Sequence, residues 1–194
     1  MKAYFDFGSH NCDGLRQMTT ILGITSDWDI HLFEPNPYTD TQGFLMGYPF
    51  TVKLYKQAVW SENKKMTFYP QSMIDHRSKI IDTPQGQVRT VHLDGMGSSL
   101  EVTDSCEPGL GNIKVEVEAI CIIDALKQTV CDEIYIKMDI EGAEYEVLER
   151  LISDPISLKV KVAYIEWHSR KNQDMAEIRD RLKSKCSFTI YDWH

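Results

Sequence analysis

Apolar and polar positions along the chain follow two periods, which predict strands and helices in alternation. Apolar runs and two-residue alternation predict strands at 2–7, 30–34, 51–59, 113–121, 133–140, 160–166 and 188–191. Apolar residues three and four positions apart predict helices at 14–22, 122–129, 142–152 and 173–183, and another that begins at Pro37. This alternation favours an α/β fold: a doubly wound, mostly parallel sheet with helices on both faces.

Capping residues predict where the first two helices begin. Asp13 is expected to cap the helix at 14–22, and Gly23 to end it. Asn36 and Pro37 are expected to start the second helix, as N-cap and first helical residue. The apolar spacing assigns to the two inner faces Leu15, Met18, Ile21 and Leu22, and then Tyr38, Thr41, Phe44 and Leu45.

The middle of the chain is less regular. Residues 70–112 are rich in Gly, Ser, Pro and Asp, which predicts a functional loop or lid on the substrate side. Residues 66–69 are expected to form half of a hairpin, so a hairpin or loop excursion is placed around 66–121. The alternation at 113–121 predicts a half-buried strand near an edge of a sheet.

Composition narrows the class of protein. A chain of 194 residues with 42% hydrophobic and 26% charged residues is expected to form one globular domain. Its net charge of −8 argues against a general nucleic-acid-binding protein, because such binding depends on Lys and Arg. The five cysteines form no Cys-x-x-Cys pair and no zinc-ligand spacing, so free thiols in the reducing cytoplasm are expected. The N-terminus enters a strand at once and the apolar runs are short, so neither a signal peptide nor a membrane segment is expected.

Ligands of open α/β sheets bind beyond the carboxyl ends of the strands, and the residues there are unusually polar and acidic in this chain. The first such turn begins with Asp6 and Gly8 and lacks the Gly-x-Gly-x-x-Gly pattern of nicotinamide-binding enzymes. A carboxylate at Asp6 would repel a pyrophosphate and attract a cationic ligand. Glu34, at the end of the next strand, can accept hydrogen bonds from the two hydroxyls of a ribose. An ordinary strand–helix connection and a surface acid are the alternatives.

Several segments together resemble the FkbM family of methyltransferases. They are YFDFGSHNCDG from Tyr4, HLFEPNP from His31, AVW from Ala58, GSSL from Gly97, VEVEAICIIDAL from Val115, IYIKMDIEGAEYEVLERL from Ile134 and VAYIEWH from Val162. The matches run in family order from Tyr4 to His168, which is nearly the whole chain. The resemblance implies a Rossmann-like class I methyltransferase fold, S-adenosylmethionine as cofactor, and O-methylation of a sugar or another small molecule.

The resemblance also implies which residues bind the cofactor. They are Asp6, Gly8, Ser9, His10 and Asn11 in the first turn, Glu34, Pro35 and Asn36 after the second strand, and Ala58 and Val59 in the third. The turn departs from the family's D-x-G-A-N-x-G pattern at Ser9, at His10 and in the late position of Gly14. The turn is therefore two residues longer than in the family, or differently shaped.

Residues on the acceptor side follow from the K-x-D-x-E-G-x-E motif, which Lys137, Asp139, Glu141, Gly142 and Glu144 match. Asp139 is the first candidate for the catalytic group, and Glu141 the next. Capping and dipole compensation of the helix at 142–152 are their alternative roles. The pair could hold Mg²⁺, but hard cations usually need more ligands, so no metal site is predicted.

Four further residues are candidates for the acceptor side. His168 has the pKa range of a catalytic base, although a histidine at a strand end is often a structural hydrogen bonder. Ser98, Ser99 and Trp60 are expected to contact the substrate, with a solvated turn and simple packing as alternatives.

Three functions are compatible with these patterns. The first is a methyltransferase with a small hydroxylated acceptor such as a carbohydrate, and with neither a nucleic acid nor a membrane as partner. The second is a cofactor-binding module of the same fold without turnover, which the altered turn keeps open. The third is another nucleotide-binding α/β enzyme such as a dehydrogenase, disfavoured by the missing glycine pattern.

Overall fold

Twelve strands and five α-helices are found in the computed structural model, which describes residues 1–73, 80–83, 86–89, 92–99, 114–169 and 175–193. The strands are β1 (Lys2–Phe7), β2 (Asp29–Phe33), β3 (Val52–Tyr55), β4 (Ala58–Trp60), β5 (Lys64–Met73), β6 (Ile80–Thr83), β7 (Gly86–Arg89), β8 (His92–Ser99), β9 (Val115–Cys121), β10 (Glu133–Met138), β11 (Val160–Ile165) and β12 (Thr189–Asp192). The helices are α1 (Asp13–Leu22), α2 (Thr41–Phe44), α3 (Ile122–Leu126), α4 (Glu144–Ile152) and α5 (Met175–Lys185), with a 3₁₀ turn at Pro155–Lys159.

The central sheet has six parallel strands in the order β12-β11-β10-β1-β2-β3. The chain therefore starts next to the middle of the sheet, winds outwards through β2 and β3, and returns on the other side of β1 through β10. The reversal of direction lies between β1 and β10, which is where open parallel sheets bind their ligands.

Side chains of β1 alternate between the two faces of this sheet. Phe5 and Phe7 belong to the larger apolar cluster, which also contains buried residues of α3, α4 and α5. Tyr4 belongs to the smaller cluster on the other face, together with Leu15 and Met18 of α1. Helices thus cover both faces, and the predicted doubly wound, mostly parallel α/β sheet is confirmed.

The predicted strand at 51–59 is wrong as a single element, because it consists of two strands in different sheets. β3 pairs with β2 in the central sheet, whereas β4 pairs with β9 in a second sheet of order β4-β9-β5-β8. Lys56 and Gln57 lie between them. Apolar residues on both sides of this break gave one uninterrupted pattern, which carries no information about which partner each half pairs with.

The excursion also contains more regular structure than a loop or lid. β5 is paired on both sides, antiparallel to β9 and to β8, and β6 and β7 form a hairpin. The prediction that 113–121 lies near an edge is confirmed, because β9 lies next to the edge strand β4, which among the described residues pairs only with Ala119, Ile120 and Cys121. Its alternation distinguishes the buried face of the sheet from the exposed face, but it does not identify lateral neighbours.

Two predicted helix starts are wrong. The N-cap of α1 is Cys12, while Asp13 is the first helical residue and pairs with Arg16. The second helix begins only after Asp40, whose carboxylate accepts a hydrogen bond from the Gly43 N–H at 2.9 Å.

Asn36 does not cap that helix, because its side-chain oxygen accepts the N–H of Tyr38, at 3.0 Å, within a local turn. Tyr38 and Phe44 are consequently exposed rather than on an inner face, as is Ile21 of α1. The other predicted helices differ from α3, α4 and α5 only at their ends.

Gly8 lies directly after β1, where the backbone at the end of the neighbouring strand β10 comes very close. Its φ is +79°, and a Cβ atom built there would lie 1.8 Å from the backbone oxygen of Asp139. That oxygen cannot rotate away as a side chain would. Gly8 therefore allows the first turn to contact the end of β10.

We expect Gly8→Ala to destabilise the protein by at least about 3 kcal/mol, combining positive-φ strain with the forced backbone contact. Gly23→Ala is the matched control, because its φ is +63° and no described atom lies within 4 Å of a Cβ built there. The control should cost about 1 kcal/mol. Urea unfolding of both variants measures the difference, and equal losses would show that the Gly8 contact relaxes without penalty.

Candidate active site

The carboxyl ends of β1, β2 and β10 enclose a cavity of about 330 Å³. Backbone hydrogen bonds just beyond the strands keep these ends in register, since Glu34 N donates to Tyr55 O at 3.0 Å and Asp139 N to Phe7 O at 3.0 Å. The cavity is lined by Gly8, Ser9, His10, Asn11, Asp13, Gly14, Gln17, Phe33, Glu34, Pro35, Asn36, Gln57, Ala58, Val59, Phe68, Lys137, Asp139, Ile140, Glu141, Glu166 and Trp193.

The turn after β1 forms one wall of the cavity. The amides of Gly8 and Ser9 both donate to the Phe33 carbonyl, at 3.0 and 3.1 Å, so the turn is fixed to the end of β2. His10 and Cys12 both have positive φ, of 39° and 64°. Strained non-glycine residues of this kind concentrate at functional sites.

The position of Cys12 shows how long the turn is. Counted from Asp6, Cys12 stands where the motif D-x-G-A-N-x-G has its second glycine, and it adopts a left-handed conformation that favours glycine. α1 begins at the following residue. The turn is therefore not longer than the motif; it differs in residue type.

The side chain of Glu34, which directly follows β2, also holds this turn in place. One carboxylate oxygen accepts the His10 N–H and the other the Asn36 N–H, both at 2.7 Å. Burial raises the pKa of Glu34, and these two hydrogen bonds oppose that shift by favouring the charged form. Each carboxylate oxygen has a second lone pair, so Glu34 keeps the capacity to accept from a ligand.

Lys137 lines the cavity and contacts three groups. Its ammonium nitrogen is 3.0 Å from the Gly8 carbonyl oxygen, 3.1 Å from an Asp139 oxygen and 3.6 Å from an Asp6 oxygen. Burial alone would lower the pKa of Lys137, but the charges of Asp6 and Asp139 raise it. Burial raises the pKa of Asp6 to about 6, against the opposing effect of Lys137.

Gly14 lets α1 pack closely over this ion pair. A Cβ atom at Gly14 would lie 2.8 Å from an Asp6 oxygen and 3.2 Å from Cε of Lys137. The Asp6 side chain is fully buried and does not line the cavity. Its position indicates that its charge affects the cavity through Lys137. Direct contact of Asp6 with a cofactor stays a prediction.

His168 lies among four carboxylates. Its Nε2 is 3.2 Å from Glu141, 3.7 Å from Glu166 and 3.9 Å from Asp139, while its Nδ1 is 3.0 Å from Glu144. Burial lowers the pKa of His168, but the hydrogen bond to Glu144 and the surrounding carboxylate charges together raise it to about 9.

The loop between β10 and α4 positions acidic groups around His168. Glu141 has a φ of +54°, and burial followed by repulsion from neighbouring carboxylates raises the pKa of Glu141 to about 7, although His168 opposes the shift. Glu144 is fully buried and accepts the N–H groups of Ile140 and Gly142, both at 3.0 Å. Glu144 thus satisfies the backbone at the start of α4, the role that the sequence offered as the alternative for Asp139.

Most of the predicted site residues line the cavity. Asp139 and Glu141 do so, as do all the predicted cofactor residues except Asp6. His168 does not line it but touches residues that do. Trp60 is buried in the core, with the Lys64 ammonium 5.2 Å from the centre of its ring. Ser98 and Ser99 end β8, and their side chains lie outside the described part of the chain.

Several lining residues were not assigned to the site from the sequence, and Glu166, Trp193, Gln57 and Phe68 are four of them. Glu166 and Trp193 follow β11 and β12, so the rule that strand ends carry ligands could have identified both as site residues. Gln57 and Phe68 come from the break between β3 and β4 and from the second sheet. Neither has a local signal, because each reaches the cavity only through the pairing of that second sheet.

Comparison with known proteins identifies the family. The family model described as a methyltransferase FkbM domain matches residues 6–190. No curated protein and no solved structure matches the chain. Within the described residues, no helix has the length and apolar character needed to cross a membrane. The match covers the glycine turn, Glu34 and the strand ends that bear Asp139 and His168, and the chain therefore belongs to the FkbM methyltransferase family.

Proposed function

We propose that this protein is an S-adenosylmethionine-dependent methyltransferase that methylates a hydroxyl group of a small molecule, with sugars as the first acceptor class. The observation that carries the proposal is a single cavity with two chemically different walls. One wall is the strained turn and Glu34, and the other contains Asp139 and Glu141. A two-substrate transfer requires two such subsites side by side.

The wall formed by the turn and Glu34 fits a nucleoside. The volume of about 330 Å³ falls within the range of small-molecule sites. Glu34 already accepts one N–H at each oxygen, and its two remaining lone pairs match the two hydroxyls of a ribose. Phe33, Val59 and Phe68 give the same cavity apolar surface, which suits a purine ring.

Charge favours this cofactor over a dinucleotide. Carboxylates of Asp13, Glu34, Asp139, Glu141 and Glu166 line the cavity, and they would repel a pyrophosphate. The proposed cofactor instead carries an ammonium and a sulfonium group, and it supplies an electrophilic methyl group when bound. The same carboxylates disfavour acceptors that carry phosphate or carboxylate groups.

Asp139 is the residue that we assign to the acceptor hydroxyl. One of its oxygens is held by Lys137 at 3.1 Å, which fixes the orientation of the carboxylate. The other oxygen faces His168 at 3.9 Å, on the side of Glu141. A hydroxyl acceptor needs a group that accepts or shares its proton, and a carboxylate held on one side can position that hydroxyl in line with the methyl group.

Donor binding is the first test. We expect S-adenosylmethionine and its demethylated product to stabilise the protein against heat, by about 2.7 kcal/mol at a hundred times the dissociation constant, and NAD to have no effect. Thermal-shift measurements with the three ligands make the comparison. Stabilisation by NAD alone would contradict the proposal. Donor binding without product formation on a panel of neutral sugars and other hydroxylated acceptors would favour the second candidate, a cofactor-binding module without turnover.

Glu34→Gln should weaken binding of the demethylated cofactor about 10-fold, because an amide nitrogen cannot accept a ribose hydroxyl. Glu62→Gln is the matched control, since Glu62 is exposed and does not line the cavity. Calorimetry measures both affinities, and circular dichroism checks that the turn held by Glu34 still folds. Equal affinities in the two variants would show that the ribose assignment is wrong.

Asp139→Asn should lower kcat at least 100-fold while changing cofactor affinity less than about threefold, because an amide retains the shape but not the basicity of the carboxylate. Single-turnover kinetics and calorimetry separate the two effects. The reverse pattern, with weak cofactor binding and normal turnover at saturation, would move Asp139 into the cofactor subsite.

A further inference from the structure

We propose that Asp139, Glu141 and His168 bind one divalent metal ion at the acceptor wall of the cavity. The ion's part in the reaction rests on the proposed function, whereas its binding does not. The sequence offered only Asp139 and Glu141, which are too few ligands for a hard cation. The structure adds His168 from the neighbouring strand end, and one ligand atom of each residue lies within 4.8 Å of the others.

The separations of the donor atoms suit a shared ion. His168 Nε2 is 3.2 Å from Glu141 and 3.9 Å from Asp139. Two ligands that each bind a metal at about 2.1 Å are about 3 Å apart when adjacent and about 4.2 Å apart when opposite. These two distances lie in this range, and all three donor atoms lie within 4.8 Å of one another, so an ion would fit with small side-chain movements.

Glu144 orients His168 as a metal ligand. Its carboxylate is fully buried, is held by the Ile140 and Gly142 amides, and lies 3.0 Å from Nδ1 of His168. Nδ1 therefore carries the hydrogen in the neutral ring, which leaves the lone pair on Nε2 facing Asp139 and Glu141. A carboxylate behind the imidazole is the usual outer support of metal-binding histidines.

A proton on Nε2 of His168 can contact fewer of the surrounding carboxylates than a metal ion can. Nε2 has one hydrogen to donate, and Glu141 at 3.2 Å is within reach of it. Asp139 and Glu166 also face Nε2, but at 3.9 and 3.7 Å they lie beyond hydrogen-bonding distance. An ion of charge +2 would contact Asp139 and Glu141 together and offset the charge of Glu166.

The donor set favours Mn²⁺ or Mg²⁺ over softer ions. Two carboxylates are hard ligands, and one imidazole suits Mn²⁺ better than Mg²⁺. Bound there, the ion would lie at the wall that we assign to the acceptor, where it would lower the pKa of a coordinated hydroxyl and so assist loss of its proton during methyl transfer.

Electron paramagnetic resonance of Mn²⁺ tests the site without cofactor or acceptor. Titrating the protein with Mn²⁺ should remove the signal of the free ion with a stoichiometry of one. His168→Ala and Asp139→Asn should each weaken binding at least 10-fold, and Glu144→Gln about 10-fold through the orientation of His168. Glu149→Gln is the matched control, because Glu149 is exposed on α4, and its binding should equal that of the unmodified protein.

A second measurement does not depend on how the variants fold. The spin-echo modulation of Mn²⁺ bound to the unmodified protein should show one directly coordinated imidazole nitrogen, and added Mg²⁺ should displace the ion. No saturable Mn²⁺ binding below millimolar concentration, or a bound ion without nitrogen coupling, would overturn the proposal. Because no methyl donor is present, failure here leaves the methyltransferase proposal intact, and failure of donor binding leaves this site intact.

Discussion

The buried ammonium group of Lys137 connects the central strands of the sheet to both walls of the cavity. Through Asp6 it contacts β1, through the Gly8 carbonyl the turn, and through Asp139 the acceptor wall. Removing one partner from a buried charge network costs about 3–5 kcal/mol, although replacing the whole network by apolar groups is often neutral. We therefore expect the network to contribute more to specificity than to net stability, because it fixes how the turn and the wall that contains Asp139 stand relative to each other.

A buried carboxylate holds each wall of the cavity, Glu34 in one and Glu144 in the other. Main-chain hydrogen bonds to Glu34 and to the Phe33 carbonyl hold the turn, and so the wall that we assign to the cofactor. At the other wall, Glu144 accepts the Ile140 and Gly142 N–H groups, and His168 joins Glu144 to Glu141. These two sets of hydrogen bonds share no residue, and Lys137 connects them through the Gly8 carbonyl and Asp139.

Much of this architecture could be predicted from the sequence. β1, β10 and β11 were placed within two residues of their ends, because buried parallel strands have apolar runs that depend on few outside contacts. Strand-end residues could be assigned to one site because parallel strands place their carboxyl ends at one edge. The division of 51–59 between two sheets could not be predicted, since pairing is a long-range property. The contact of His168 with Glu144 likewise joins separate elements with no shared local signal.

β1 and β10 are neighbours in the sheet although they lie far apart in the sequence, since Lys137 and Gly8 are 129 positions apart. Contacts of this kind close long loops and slow the folding of the chain. During synthesis, β10, the second neighbour of β1 in the sheet, is made only in the last third of the chain. A nascent chain that lacks β10 has no Lys137 to neutralise Asp6 and no acceptor wall. The wall that contains Asp139 and Glu141 thus arises late, so a prematurely terminated product without β10 would lack it.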